Sequence, residues 1–343
     1  LGLASEQRVL EEAACALDEA GAGWRASPLV AGRTEWHERL ESRLAAFEGA
    51  EAALLFPTGY AANVGTICAL VGRGDVVVGD RLNHASLIDG CRLSGAKFRV
   101  FAHRDADAAE RELKKAADAP RRLIVTDAVF SMDGDAAPLA DLCDVAERHG
   151  AMLLVDEAHG TGVYGERGRG LTEEAGVEDR GVIRVGTLSK ALGALGGFVA
   201  GPRSLNDWLF NAARTQMFST ALTPAACAAA MAALAIVLQE PQRRQTLRAE
   251  GRRLRARLAA DGIAIVEGTD GPIVPVILGP AERTLEVARR LADRGHLVAA
   301  IRPPTVPRGK SRLRVSLTSL HSPGDVDALA ADLSELLRES AAE

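Results

Sequence analysis

Cysteine and aromatic residues are scarce in this chain, and several familiar signatures are missing. Five cysteines are spread over 343 residues, at positions 15, 68, 91, 143 and 227. The number is odd and no two form a C-x-x-C pair. That argues against a disulfide framework or a zinc knuckle and leaves small buried thiols as the expectation. Phe, Trp and Tyr together make up only 4% of the residues, so the core must be built from Ala, Leu and Val. Neither sign of charge dominates: 41 Lys+Arg against 46 Asp+Glu gives −5. This removes the main electrostatic reason to expect a nucleic-acid partner, while a local basic pocket for an anion stays open. There is no G-x-S-x-G elbow, no H-E-x-x-H pair and no Walker A loop, since Gly309-Lys310-Ser311 has Pro304 where the earlier glycine belongs. No metal site is expected. No signal peptide, internal repeat or low-complexity linker is visible. The one long apolar run, 221–238, is mostly alanine and carries Thr223 and Pro224 near its start. It predicts a buried helix with proline in its first turn rather than a membrane span. The expectation is a cytoplasmic protein with no membrane partner.

Short β-rich runs alternate with helical stretches. Strands are predicted over 53–56, 76–78, 98–101, 123–126, 152–155, 182–185 and 198–200, with helical spacing between most of them, as in 105–117 and 139–149. Such alternation implies an α/β fold: a mostly parallel seven-stranded sheet flanked by helices. The texture changes near residue 240. An Arg-rich helix over 241–260 is followed by predicted strands at 263–266, 273–278, 298–301 and 313–317. Helices are predicted over 282–294 and from Pro323. The reading is a large domain, 1–239, and a smaller C-terminal α+β domain, 240–343.

Parallel sheets bind ligands at the carboxyl ends of their strands, and four strand ends here are unusually polar. The first leads into Pro57-Thr58-Gly59-Tyr60-Ala61-Ala62-Asn63, a glycine-bearing turn that opens a helix and suits a phosphate. The second leads into Asp80-Arg81-Leu82-Asn83-His84 and the third into Asp156-Glu157-Ala158-His159. The fourth ends in Gly186-Thr187-Leu188-Ser189-Lys190 before a Gly-rich stretch. A lysine directly after a buried strand reads either as a snorkelling side chain or as a desolvated amine fit to form a Schiff base. Together, a phosphate cradle, an Asp, a His and a Lys on one rim meet the needs of pyridoxal 5'-phosphate (PLP). The lysine takes the aldehyde and the carboxylate keeps the pyridine nitrogen protonated. A contact pair at about 4 Å and an effective dielectric of about 20 is worth about 4 kcal/mol, or roughly three pKa units. Gly160-Thr-Gly-Val-Tyr-Gly165 matches G-x-G-x-x-G but fails as a nicotinamide fingerprint: four residues intervene after the strand and no apolar helix follows.

On D-R-L-N-H-A-S at 80–86, V-F-S-M-D-G-D at 129–135, V-D-E-A-H-G-T-G at 155–162, T-L-S-K at 187–190 and A-I-R-P-P-T-V-P at 300–307, the chain resembles the α-oxoamine synthases, fold-type I PLP-dependent transferases. The last motif, with S-R-L-R at 311–314, is most similar to the member that acts in biotin biosynthesis. The resemblance implies Lys190, Asp156 and His84 as the catalytic set: Lys190 on the aldehyde, Asp156 on the pyridine nitrogen, His84 over the ring. It implies Ser131 and His159 near the phenolic oxygen, Gly59, Tyr60 and Thr187 around the phosphate, and Thr220 reaching the phosphate of a partner subunit in a homodimer. Arg314 would clamp the amino-acid carboxylate, with Arg312 as the rival. The implied reaction is a decarboxylative Claisen condensation of L-alanine with a pimeloyl thioester of coenzyme A or an acyl carrier protein. The alternatives are an α-oxoamine synthase with another amino acid or acyl group, such as a glycine C-acetyltransferase-like enzyme, or a fold-type I aminotransferase. Pro28 stands where the family carries Arg, with Arg25 as candidate substitute, and Leu1-Gly2-Leu3 resembles the tail of a family motif, implying a preceding segment.

Overall fold

The structure is a computed structural model that describes residues 1–266 and 268–342. The strands are β1 (Ala52–Phe56), β2 (Val76–Asp80), β3 (Lys97–Phe101), β4 (Arg122–Asp127), β5 (Met152–Asp156), β6 (Ile183–Thr187), β7 (Gly197–Gly201), β8 (Ile273–Gly279), β9 (Ala299–Ile301) and β10 (Ser311–Ser316). The chain packs as two compact units. The larger holds Gly2–Val129 and Ala136–Pro241; the smaller holds Leu1, Phe130–Asp135 and the chain from Gln242 onward.

In the larger unit seven strands form one sheet in the order β1-β7-β6-β5-β4-β2-β3. Strands β3, β2, β4, β5 and β6 run parallel, and β7 is antiparallel to both β6 and β1. Every residue of β2, β6 and β7 is buried, as a sheet covered on both faces requires, so these strands show no polar alternation. The core runs through Phe56, Ile67, Val77, Leu123, Leu154 and Val199. Its stabilisation comes from apolar area removed from water, about 25 cal/mol per Å². The apolar run at 221–238 becomes the helix Pro224–Gln239, with Pro at its first position and Thr223 Oγ1 accepting from the Ala226 N–H at 3.2 Å. It is apolar nearly all round because it packs on the helices Gln7–Ala20 and Glu35–Glu48. Among the described residues no single helix is long and apolar enough to cross a membrane. Cys91, Cys143 and Cys227 are buried as expected, but Cys68 is only half-buried and Cys15 is exposed on the polar side of an amphipathic helix.

The smaller unit carries an antiparallel sheet, β8-β10-β9, with the helices Gln242–Ala260, Ala281–Asp293 and Pro323–Ala342. The strand expected at 263–266 reduces to a single bridge, Ile265 to Val276. Pro275 stands next in line on β8 and has no N–H to continue the ladder.

Candidate active site

Four parallel strands end on polar residues at one rim: Asp80 closes β2, Asp127 closes β4, Asp156 closes β5 and Thr187 closes β6. The register sets Asp127 directly beside Asp156. Both carboxyls are buried. Asp156 Oδ1 accepts the Ala158 N–H at 2.8 Å and Oδ2 accepts from Asn63 Nδ2 at 2.6 Å. Asp127 Oδ2 accepts the His84 N–H at 2.6 Å. Burial, then the neighbouring Asp156 charge, drive the Asp127 carboxyl well above the usual carboxylate range. Two adjacent buried charges of one sign repel, which is why the second cause acts in the same direction as burial.

His84 caps the helix Ala85–Leu93 with its ring at the rim. Nδ1 lies 2.7 Å from Ser86 Oγ. Partial burial lowers its pKa, Asp156 and Asp89 oppose this and Lys190 adds to it. Lys190 lies three residues past β6, and its charge is felt by both His84 and Asp127. The sequence suggested a desolvated amine; in the single chain Lys190 is exposed, so burial within this chain does not activate it. His159 sits half-buried three residues beyond Asp156, where the Ala158 bond to Asp156 fixes the turn.

The helix Gly59–Leu70 points its first turn at the same rim. Thr58 Oγ1 caps the Ala61 N–H at 3.0 Å, and the Gly59 and Tyr60 N–H groups precede the intrahelical ladder. A β-carbon on Gly59 would meet Thr187 Cβ at 3.1 Å. Thr187 Oγ1 lies 2.8 Å from Ser189 Oγ and donates to the Gly196 carbonyl at 3.0 Å. Backbone N–H groups, a helix dipole and hydroxyls thus meet at one point, a combination that suits a phosphate. Tyr60 is half-exposed and its hydroxyl donates to Asp89 Oδ2 at 2.7 Å, so only its backbone faces the cradle. Asn63 lies one turn further, about 6 Å along the axis. Tested against pyridoxal phosphate, the residues fit: an anion cradle at the helix start, and a buried carboxylate one turn along for a ring cation.

Thr220 is exposed on the loop before Pro224–Gln239. Arg25 is exposed in the left-handed region, with φ 51°, and Pro28 opens the turn Pro28–Gly32. In the smaller unit, β10 points Arg312 and Arg314 to one face. Arg312 is buried and ion-paired: Nη1 reaches Asp133 Oδ1 at 2.6 Å and the Met132 carbonyl at 3.1 Å, and Nε donates to the Lys310 carbonyl at 3.2 Å. Arg314 is half-buried; Nε donates to the carbonyl of Ser131 at 2.5 Å and Nη1 to Ser316 Oγ at 2.9 Å. Of the two, Arg312 is already paired with a carboxylate, whereas the acceptors of Arg314 are a carbonyl and a hydroxyl. Residue-by-residue reading did not single out Asn63, Ser86 and Asp127. A lone buried amide in an apolar helix was the available signal for Asn63.

A profile of the family described as aminotransferase class I and II matches residues 3–333. An 8-amino-7-oxononanoate synthase from Alkalilimnicola ehrlichii is 52% identical over 339 residues, covering 98% of this chain and 86% of the relative. 8-Amino-7-oxononanoate synthase 2 from Bacillus subtilis is 47% identical over 329 residues, 96% of this chain and 84% of the relative. Among solved structures, a serine palmitoyltransferase from Sphingomonas wittichii superposes with TM-score 0.96 at 35% identity, over 99% of this chain and 86% of that one. The 8-amino-7-oxononanoate synthase from Francisella tularensis gives 0.83 at 26%, over 99% and 96%. With the seven-stranded sheet and its polar rim, a match over this length places the chain in the aminotransferase class I and II family, with the fold-type I architecture.

Proposed function

We propose that the chain is a PLP-dependent acyltransferase that condenses L-alanine with a pimeloyl thioester, releasing carbon dioxide and the thiol and giving 8-amino-7-oxononanoate, a step of biotin biosynthesis. The observation that carries this reading is the 52% identity over 98% of the chain to an 8-amino-7-oxononanoate synthase. PLP, when bound, supplies an electron sink for the pair left on Cα. Lys190 Nζ is the amine that would hold the aldehyde and would serve as base for the Cα proton. Asp156, oriented by the bonds it accepts from Asn63 and Ala158, would be the carboxyl that pairs with the ring nitrogen. Gly59, Tyr60 and Thr187 hold the phosphate. His84 covers the ring, while His159 and Ser131 orient its oxygen. Arg314 receives the alanine carboxylate, its planar fork matching the two oxygens.

The enzyme works as a cytoplasmic homodimer in which Thr220 of one copy faces the phosphate of the other. Exposed Leu195, in the loop after Lys190, and exposed Phe218, beside Thr220, support an interface there. The similarity to serine palmitoyltransferase supports a second reading, the same condensation with serine and a longer acyl chain. Incubation with alanine, glycine or serine and a panel of thioesters on coenzyme A or acyl carrier protein separates them. The expected product by mass spectrometry is the alanine–pimeloyl ketone with stoichiometric carbon dioxide. A product from serine and a long chain alone selects the second reading. Failure of borohydride to fix a pyridoxyl group on Lys190 overturns both.

A further inference from the structure

The Asn63 amide carries two hydrogens, and both are committed. One goes to Asp156 Oδ2 at 2.6 Å and the other to Ser86 Oγ at 2.9 Å. A flipped amide would set its oxygen against the carboxylate, so the orientation is fixed. Having accepted from Asn63, the Ser86 hydroxyl has its own proton to donate, and His84 Nδ1 lies 2.7 Å away. The Ser86 backbone N–H also points at Nδ1, at 3.3 Å. Two donors aimed at Nδ1 leave no place for a proton on it. Asn63 and Ser86 are buried, so water does not compete for these bonds.

We propose that Asn63 and Ser86 are positioning residues that hold His84 as the neutral imidazole with its proton on Nε2, and so couple the state of His84 to the charge on Asp156. The proposal rests on the PLP reading only for the purpose of the coupling. The bond chain itself belongs to the protein. The charged groups facing His84 are Asp156, Asp89 and Lys190, with Asp127 bonded to its backbone N–H. A proton on Nδ1 would break the bond to Ser86 and place a second cation beside Lys190. Neutral His84 leaves Asp156 free to serve the ring nitrogen alone. It also offers one N–H, on Nε2, on the side away from the chain of bonds.

The test is a long-range proton–nitrogen correlation spectrum of histidine-labelled protein, recorded with and without PLP. The chain has seven histidines, and the His84 signal is assigned by its loss in His84→Gln. In the unsubstituted protein, cofactor-free as well as loaded, Nδ1 is expected at the unprotonated position and Nε2 at the protonated one across neutral pH. Ser86→Ala removes the hydroxyl donor. The ring should then populate both tautomers, and its pKa should rise by about one unit. The acid limb of kcat/KM should move up by the same amount. Asn63→Ala should shift the tautomer balance in the same direction, because Ser86 Oγ, no longer oriented by the bond from Asn63, can turn a lone pair toward Nδ1. A protonated Nδ1 in the unsubstituted protein overturns the proposal whether or not either variant folds. So does an unchanged His84 spectrum in a folded Ser86→Ala protein. Borohydride trapping at Lys190 that succeeds while the tautomer result fails would leave the PLP reading standing and remove only this one.

Discussion

Asp156 and Arg314 separate two kinds of work that one side chain can do in a condensing enzyme. On the proposed reading Asp156 serves the place where charge develops, so its effect belongs to the transition state. Asp156→Asn keeps the shape and the bond from Ala158 but removes the charge. Bound cofactor is expected to remain visible in the absorption spectrum while kcat falls about 10²–10³-fold. Turnover within a factor of two of the unsubstituted enzyme would show that the carboxylate is not the sink partner. On the same reading Arg314 acts on the ground state and transition state alike. Arg314→Ala is expected to raise KM for alanine about 10–100-fold, the worth of a charge-assisted bidentate contact, with kcat nearly unchanged. Arg312 is the control two residues away. Its guanidinium is spent on Asp133 and the Met132 carbonyl, so Arg312→Ala should lower stability by about 1–3 kcal/mol in urea titration and leave KM alone. A change in KM for alanine on Arg312→Ala would exchange the two roles. Lys190, Asp156 and His84 stand out in the sequence as candidates because each comes at or just after the end of a run predicted as a buried strand. Asp127 does not, because its meaning lies in the register that sets it beside Asp156, a pairing between residues 29 apart along the chain.

The larger sheet was legible because most of its strands are short apolar runs set between helical stretches, even though β3 and β6 carry Arg99 and Arg184. Their ends were not, since Asp80, Asp127, Asp156 and Thr187 read as loop yet still belong to the strands. That difference matters to the site: the functional side chains leave from rigid backbone. The weak strand at 263–266 shows the converse, a run with strand composition whose neighbour is a proline. The same logic gives an element-level test at the contact between β7 and the start of the helix Gly59–Leu70. A β-carbon on Gly197 would lie 2.5 Å from Gly59 N and from the carbonyl of Thr58, all backbone that cannot swing aside. Gly197→Ala should therefore push the first turn of the helix off the sheet. It is expected to weaken PLP binding at least tenfold by equilibrium dialysis and to cost about 1–3 kcal/mol of stability. Gly72→Ala is the matched control, with its nearest atom 3.9 Å away, and should change neither. Equal PLP affinity in the two variants would mean that the helix start is not held by that contact.

At the scale of the molecule, the larger unit carries its least satisfied charges below the rim. Glu48, the last residue of Glu35–Glu48, is buried beside Arg184 of β6, whose Nη1 donates to the Glu48 carbonyl at 2.8 Å and lies 3.5 Å from Oε2. Among the described residues, neither Glu48 carboxylate oxygen has a hydrogen-bond partner. Burial pushes this carboxyl up to about 8, with Arg184 opposing. Glu157, which follows Asp156, is also pushed up by burial, to about 7, although the N–H groups of Leu171 and Thr172 donate to it. The sign follows from linkage. A folded-state pKa above the unfolded value of 4.5 means that the folded chain binds more protons between the two. Stability must then fall as pH rises from about 4.5 toward 8, by up to about 1.4 kcal/mol per pH unit for each such group, and level off above the folded pKa. Glu48→Gln removes one of these contributions while keeping the volume. In urea titrations at pH 5, 7 and 8.5 it is expected to match the unsubstituted protein at the lowest pH and to gain on it steadily toward the highest. Two parallel stability–pH curves would show that Arg184 keeps Glu48 ionised throughout. In that case the buried pair is held by its own attraction, and any fall in stability toward alkaline pH comes from other groups.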